Sequence, residues 1–318
     1  MKNVGFSCSA GGLLAIALLL LLIICSGLCP VPAAAAIVAK VDRDECQVAL
    51  SGPIASGDLD RLKVLAPVGS SLCLDSPGGD FLEGLAIAEW LAGRNVTTVI
   101  GNGASCYSAC AIAFMGGSEW EQIYLSRRKL HVGGRLGFHA PYLIALSKTY
   151  SGPDLEATYT EGLQAVARMM KLGAEMGADG FIPERVMLKL LAAGPRDLYM
   201  VDDVIRAREL GIELTGVPKA TWTTAALCNA CVVRNERRAR TDACEQPFAS
   251  AMVAKDVVQT TFFGFAGEGA YYCSVRLSKK KGEASIAATI GEEEISRKDL
   301  EFTPLKDEDA LPVGLKWD

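Results

Sequence analysis

Histidine is almost missing from this 318-residue chain, which has only His131 and His139. Any chemistry that needs an imidazole near neutral pH therefore has two residues to choose from. A dominant charge is missing too. The 32 Lys and Arg against 37 Asp and Glu leave a net charge of -5, which argues against a general nucleic-acid binder. The only dense basic run, Arg234–Arg240, reads as a solvated helix face. No segment repeats, which argues against solenoid and propeller architectures.

What is present starts with apolar sequence. Half of the residues are hydrophobic, enough for a proper core in one large domain or two ordinary ones. Residues 1–40 read as a targeting segment: Lys2, an uncharged apolar run from Gly11 to Leu28, the helix-breaking Pro30 and Pro32, then Ala33 to Ala36. Two readings remain open, a cleaved signal peptide and a retained membrane anchor, because the run is also long enough to span a bilayer. A lipoprotein is disfavoured by Ile24 and Leu28, which stand before Cys25 and Cys29 where a small residue is needed. Either reading puts the body of the protein outside the cytoplasm, in the periplasm, secreted or tethered.

Of 11 cysteines, Cys8, Cys25 and Cys29 belong to that segment. The even number that remains, in an oxidising compartment, favours disulfides. Cys46 and Cys73 fall on strands that can be neighbours, and Cys106 and Cys110 flank Ser108. Cys228, Cys231, Cys244 and Cys273 contain one Cys-x-x-Cys but no second pair, so disulfides are favoured over zinc.

Strands are expected at Cys46–Ile54, Ser71–Leu74, Val96–Ile100, Ile123–Leu125 and Arg135–Phe138. Helices are expected around Leu62–Leu65, after Gly79, from Ala109 to Phe114, over 154–176 with Asp154 as N-cap, over Pro183–Ala193, and from Asp202-Asp203 to Gly211. The alternation argues for an α/β fold on a largely parallel sheet. Around Gly216-Val217-Pro218 the pattern changes. Beyond it, strands are expected at Thr260–Phe265 and Tyr271–Leu277, followed by a charged, loosely ordered tail.

Four segments hold the parts of a serine hydrolase: Leu74–Asp80 with Ser-Pro-Gly-Gly, Cys106-Tyr107-Ser108-Ala109-Cys110, Gly137–Pro141 with His139, and Pro195-Arg196-Asp197. Such a site needs a hydroxyl, a base, an acid that orients the base, and donors for the oxyanion. Ser108 is the candidate nucleophile, because the apolar helix begins immediately after it. Ser105 is an alternative, a plain N-cap serine is a third reading, and Cys106 is a less favoured attacker than a paired cysteine. His139 ends a buried strand and is the candidate base, whereas His131 follows Arg127-Arg128-Lys129 and is expected to be exposed. Asp197 is the candidate acid, with Asp202 and Asp203 expected to cap the next helix. None of the four segments contains a lysine, which argues against a Ser-Lys dyad.

In this order the segments resemble the Clp protease proteolytic subunit. More closely, they resemble the exported ClpP-like proteins of the crotonase superfamily, which carry a Cys-x-Ser-Ala-Cys block. The resemblance covers Glu45 to Gly216. It implies a ClpP/crotonase-like spiral of β-β-α units over 41–216, with a small cysteine-containing C-terminal unit over 217–318 that resembles no known family. It also implies an oxyanion hole made by the N–H groups of Gly78, rather than Gly79, and Ala109, and subunit contacts through the helix at 154–176 in a homo-oligomer, while a surface helix packing on its own domain is the alternative reading of that segment. The expected activity is an exported serine peptidase acting on a peptide or protein, with no cofactor, metal or nucleic acid, and with inner-membrane association through the N-terminus. A non-catalytic binding or assembly module of the cell envelope is the alternative. A crotonase-type acyl-CoA enzyme is disfavoured, because export separates it from its cofactor.

Overall fold

Short apolar, β-branched runs punctuated by Gly, Pro and Asp become strands that helices join. The structure, a computed structural model, describes residues 35–43, 45–142, 149–192, 197–235, 249–266, 269–290, 301–312 and 315–317. The targeting segment up to residue 34, most of the basic run, Arg196 and Cys244 lie outside the described residues.

The fold is mixed α/β. In the largest sheet β1 (Ile37–Arg43) pairs antiparallel with β2 (Cys46–Ser51). From β2 onward, β3 (Ser71–Asp75), β4 (Thr97–Ile100), β8 (Arg128–His131) and β11 (Glu213–Thr215) follow in parallel. Parallel strands are covered on both faces, and Leu50, Leu72, Leu74, Ile100 and Leu130 are accordingly buried. The covering helices include α1 (Asp58–Leu65), α2 (Phe81–Leu91) and α3 (Ala109–Phe114), the last buried at all six positions. A second sheet holds β5 (Ser105–Tyr107), β9 (Arg135–Phe138) and β10 (Tyr199–Met200), with β9 in the middle. A hairpin, β6 (Ser118–Glu121) and β7 (Ile123–Ser126), stands apart.

Three features depart from the sequence reading. β1 begins at Ile37, inside the segment read as targeting, where it pairs antiparallel with β2. β5 replaces part of the glycine-rich loop ahead of α3: it is only three residues long, and parallel pairing with β9 holds it. In α4 (Gly152–Gly180) the N-cap is Ser151 rather than Asp154. Ser151 Oγ accepts from the Asp154 N–H at 3.2 Å while Asp154 Oδ2 accepts from the Ser151 N–H at 3.2 Å, a capping box. A non-helical Gly177 interrupts α4 near its end.

α5 (Glu184–Ala192) and α6 (Val204–Glu209) follow, the second capped by Asp203, whose Oδ1 accepts from the Arg206 N–H at 2.8 Å. Arg128 is fully buried, and among the described residues no carboxylate is bonded to it. Its guanidinium donates to the Leu210 carbonyl at 2.6 Å, where α6 ends, and to the carbonyls of Gly180 and Phe181, where α4 ends. One cation thus serves the carbonyl-rich ends of two helices. Burial pulls its pKa down to about 9, which leaves it charged at neutral pH.

Beyond α7 (Thr224–Asn235), strands β12 (Ala249–Ala254), β13 (Val257–Ala266), β14 (Gly269–Ser278), β15 (Glu283–Ile290) and β16 (Thr303–Pro304) form an antiparallel sheet in chain order. Its core joins Leu227 and Cys231 of α7 to Phe262, Cys273, Val275 and Ile286. The tail expected to be loosely ordered is docked where it is described. Residues 291–300 lie outside the described set, but the segment at 307–310 is docked on the first sheet. Glu308 Oε2 accepts from the Leu214 N–H at 2.6 Å, Asp309 pairs with Arg208, and Trp317 packs on the large core.

Among the described residues, disulfides join Cys46 to Cys73, Cys106 to Cys110 and Cys231 to Cys273. The last consumes a cysteine of the Cys-x-x-Cys pair, so that pair cannot hold zinc as a unit. Such bonds belong to an oxidising environment. Among the described residues no helix is long and apolar enough to cross a membrane.

Replacing Arg128 with Met leaves buried carbonyls without a donor, and is expected to cost about 3 kcal/mol. A lower urea midpoint would report this, whereas an unchanged midpoint would show that the tie contributes nothing. Burial, its strongest influence, raises the Glu308 carboxyl pKa against the pull of the Leu214 N–H. The folded state then holds that proton more readily than the unfolded one, so this group's contribution to stability declines as pH rises from the ordinary glutamate range through its raised value. Glu308→Gln keeps the acceptor and is expected to flatten that decline in urea midpoints measured from acid to neutral pH. An unaltered pH slope would exclude Glu308 as its source.

Candidate active site

The β5–β9 ladder pairs Ser105 with Arg135, Cys106 with Leu136 and Tyr107 with Gly137, all parallel. Ser108 follows at the carboxyl end of β5, and its N–H donates to the Gly137 carbonyl at 3.0 Å. Its backbone has φ 57 and ψ -123, a conformation that costs a non-glycine residue about 1–3 kcal/mol. Ser108 occupies the N-cap position of α3, yet its side chain makes no capping bond. The plain N-cap reading therefore does not hold. A strained serine between strand and helix, half-buried and with its hydroxyl unused by the helix, is the geometry of an elbow that presents a nucleophile.

Ser105 lies three residues back, inside β5. Its N–H donates to Asp75 Oδ1 at 3.0 Å and its carbonyl accepts from the Ser76 N–H at 2.6 Å, so it is not at a helix start. Cys106 is bonded to Cys110 and offers no thiolate.

His139 leaves the end of β9, beside Ser108 in register. Tyr107 faces Gly137, so Ser108 is level with Phe138 and His139 is one residue further on, on a strand about 4.8 Å away. His139 Nδ1 lies 2.7 Å from the Ala140 carbonyl oxygen. That oxygen only accepts, so Nδ1 carries the proton and Nε2 keeps a lone pair, as a general base requires. The ring is half-buried and tilted against Tyr142, with centroids 4.8 Å apart. Among the described residues no hydrogen bond joins the Ser108 hydroxyl to His139.

β10 pairs antiparallel with β9 on the other side, Tyr199 with Phe138 and Met200 with Gly137. Extending that register sets Leu198 against His139 and Asp197 against Ala140. Asp197 is thus on the far side of β9 from Ser108, level with Ala140 and one residue beyond His139. Its side chain is exposed, and among the described residues it makes no bond to His139.

Gly78 presses against Ser108. A Cβ there would lie 2.7 Å from both Ser108 Cβ and the Tyr107 carbonyl oxygen, and φ is +99, so only glycine fits. The Gly78 N–H, expected to face the oxyanion, donates to Ser76 Oγ at 3.1 Å. The neighbouring loop is clamped by Ile54, whose N–H donates to the Gly78 carbonyl at 2.8 Å and whose carbonyl accepts from the Asp80 N–H at 2.9 Å. The Ala109 N–H is the first of α3 and has no acceptor within the helix.

His131 is not exposed. It is half-buried on β8, beside Thr215, and its Nδ1 accepts from the Gly133 N–H at 2.9 Å. The intervening Gly-Gly turn folds back on the ring and shields it, and it takes no part in the site.

Several contributors escaped the sequence. Ser76 stands two residues before Gly78, where a hydroxyl–backbone turn was a legible signal. The Ala140 carbonyl and Tyr142 gave none. Nor did a groove of about 760 Å³ lined by Phe81, Leu82, Tyr142, Leu155, Tyr159 and Leu163, which joins the start of α2 to the first turns of α4 next to Pro141. Among the described residues no cluster of His, Cys, Asp and Glu could hold a metal ion. No protein-family model matches the chain, and no curated protein matches it.

Gly78→Ala is expected to destabilise by about 2 kcal/mol, because the methyl overlaps Ser108 and φ is left-handed. Thermal unfolding measures this, and a wild-type midpoint would show that the loop yields freely.

Proposed function

We propose that this chain is an exported serine hydrolase that cuts peptide bonds, with Ser108 as nucleophile, His139 as base and Asp197 as orienting acid. The observation that carries the reading is the small sheet β10-β9-β5: Ser108 follows β5, His139 follows β9 and Asp197 precedes the antiparallel β10, so all three belong to the same end of that sheet. The strained, uncapping Ser108 supports it. We read the domain as a ClpP/crotonase-like spiral, a view favoured by the repeated strand–helix units around a parallel sheet, and the three disulfides favour a site of action outside the cytoplasm.

In the reaction, Ser108 Oγ bonds to the scissile carbonyl carbon while its proton passes to His139 Nε2. The carbonyl oxygen takes up negative charge facing the Ala109 N–H and the Gly78 N–H, which Ser76 Oγ must share or release. Collapse breaks the C–N bond, and His139 hands its proton to the leaving amine. Water then enters by the same route and frees the acyl group. Closure of the Ser108–His139 bond accompanies substrate binding, as catalytic hydrogen bonds often tighten only in the complex. The apolar groove beside Tyr142 favours substrates with a bulky apolar side chain.

One observation favours a second reading, a non-catalytic binding module. Asp197 is exposed and His139 is bonded to its own neighbour rather than to Ser108. Labelling with a fluorophosphonate separates the two. The oxidised protein is expected to react at Ser108, Ser108→Ala not at all, and His139→Gln more slowly by roughly 10²-fold or more. Asp197→Asn is expected to cost less than His139→Gln, because the Ala140 carbonyl already holds the tautomer. A folded protein inert to the probe would establish the binding module. For peptides with a bulky apolar residue, Leu163→Asp is expected to raise KM severalfold with little change in kcat. Unaltered kinetics would remove the groove from the substrate path.

A further inference from the structure

We propose that the Cys106–Cys110 disulfide is the positioning element of the nucleophile, so that the Ser108 site is set by oxidation and is inert in chain that has not been oxidised. Its consequence for activity rests on the hydrolase reading above, while its consequence for the Ser108 backbone does not.

The bond brackets Ser108 symmetrically, two residues before and two after. Cys106 is held as strand by pairing with Leu136 and by a bridge to Ser76. Cys110 is in the first turn of α3. Their Cα atoms are 5.2 Å apart, whereas four extended residues would separate them by about 13 Å. The chain between must therefore reverse within Tyr107, Ser108 and Ala109, and the middle residue takes the left-handed φ of 57. Such a conformation persists in a non-glycine residue only where its surroundings over-determine it. Two main-chain bonds meet Ser108, its N–H to Gly137 at 3.0 Å and the Ile112 N–H to its carbonyl at 3.1 Å. Neither fixes both ends of the reversal. The disulfide does. Without it, Ser108 is free to join either β5 or α3 in an ordinary conformation, which turns its hydroxyl away from His139 and from Gly78.

The other two disulfides are differently placed. Cys46–Cys73 ties β2 to β3 and Cys231–Cys273 ties α7 to β14, so they brace packing away from the elbow. Both sulfurs of the 106–110 bond are on fully buried residues, and the bond is therefore set during oxidative folding rather than toggled in the finished protein. It forms by exchange with a donor disulfide: two thiols become one disulfide, and the donor is reduced to two thiols.

The test compares Cys106→Ala/Cys110→Ala with Cys46→Ala/Cys73→Ala. Two quantities are read on each: the rate of fluorophosphonate labelling, and the Ser108 φ in a crystal structure. The first variant is expected to keep its circular dichroism, lose labelling rate by roughly 10- to 100-fold, and show Ser108 outside the positive-φ region. The second is expected to unfold at lower temperature yet label at the wild-type rate. Wild-type labelling and a positive Ser108 φ in the first variant would overturn the proposal. If the wild-type protein itself fails to label, the hydrolase reading falls, and the Ser108 φ alone decides this inference. If the first variant does not fold, wild-type chain refolded across a series of glutathione redox buffers replaces it. Reactivity at Ser108 should then track oxidation of the 106–110 peptide rather than of the 46–73 pair, and tracking of the 46–73 pair would overturn the proposal.

Discussion

The parallel ladder between β5 and β9 is the constraint on which the rest of the site depends. Three residue pairs set the level at which Ser108 and His139 leave their strands. Side chains alternate along a strand, so a slip of one residue would send Ser108 or His139 to the opposite face. Gly137 lets the ladder close. A Cβ there would lie 2.7 Å from Met200 Sδ and 3.0 Å from the Tyr107 ring, and the strands on both sides would have to give way. β10, antiparallel to β9, begins two residues after Asp197 at the same end of the sheet.

The site's second wall is built from loop rather than strand. Ile54, Gly78 and Asp80 exchange main-chain bonds that seat the Ser-Pro-Gly-Gly turn against Ser108, and Asp80 caps α2 by accepting from the N–H groups of Leu82 and Glu83. The Asp75 carboxylate fastens the start of β5 to the same turn. Rigidity arises here because the main-chain groups of Ser76, Gly78 and Asp80 are tied to Ser105, Tyr107 and Ile54. Farther away, Arg128 ties two helix ends to the central sheet, and the docked segment at Glu308–Asp309 covers the edge strand β11. An edge so covered is closed to pairing with another chain.

Much of the fold was legible in the sequence. Ala109–Phe114 is helical over the expected span, and Ser71–Asp75 and Arg135–Phe138 are strands, because local apolar runs there agree with their burial. β5 was not legible as a strand, since it is only three residues long and is held by β9, distant in sequence; β1 was missed because it runs on directly from the alanines of the segment read as targeting. The N-cap of α4 was misplaced by three residues. Ser151 and Asp154 are both capping residues, and only the paired geometry of the box tells which one stands outside the helix.

For the site, the sequence alone determined the inventory: one histidine at a strand end, one serine before an apolar helix, two adjacent glycines, and cysteines on either side of the serine. Residue type and local pattern suffice for that, because they state which groups are available and where elements begin. Only the tertiary structure decided that Ser108 is strained and free of capping duty and that His131 is a packed bystander. It also decided that Cys231 pairs with Cys273 rather than within its Cys-x-x-Cys. Each of these rests on strand register or on the approach of segments far apart in sequence, and those depend on how the whole chain packs, which no local pattern encodes.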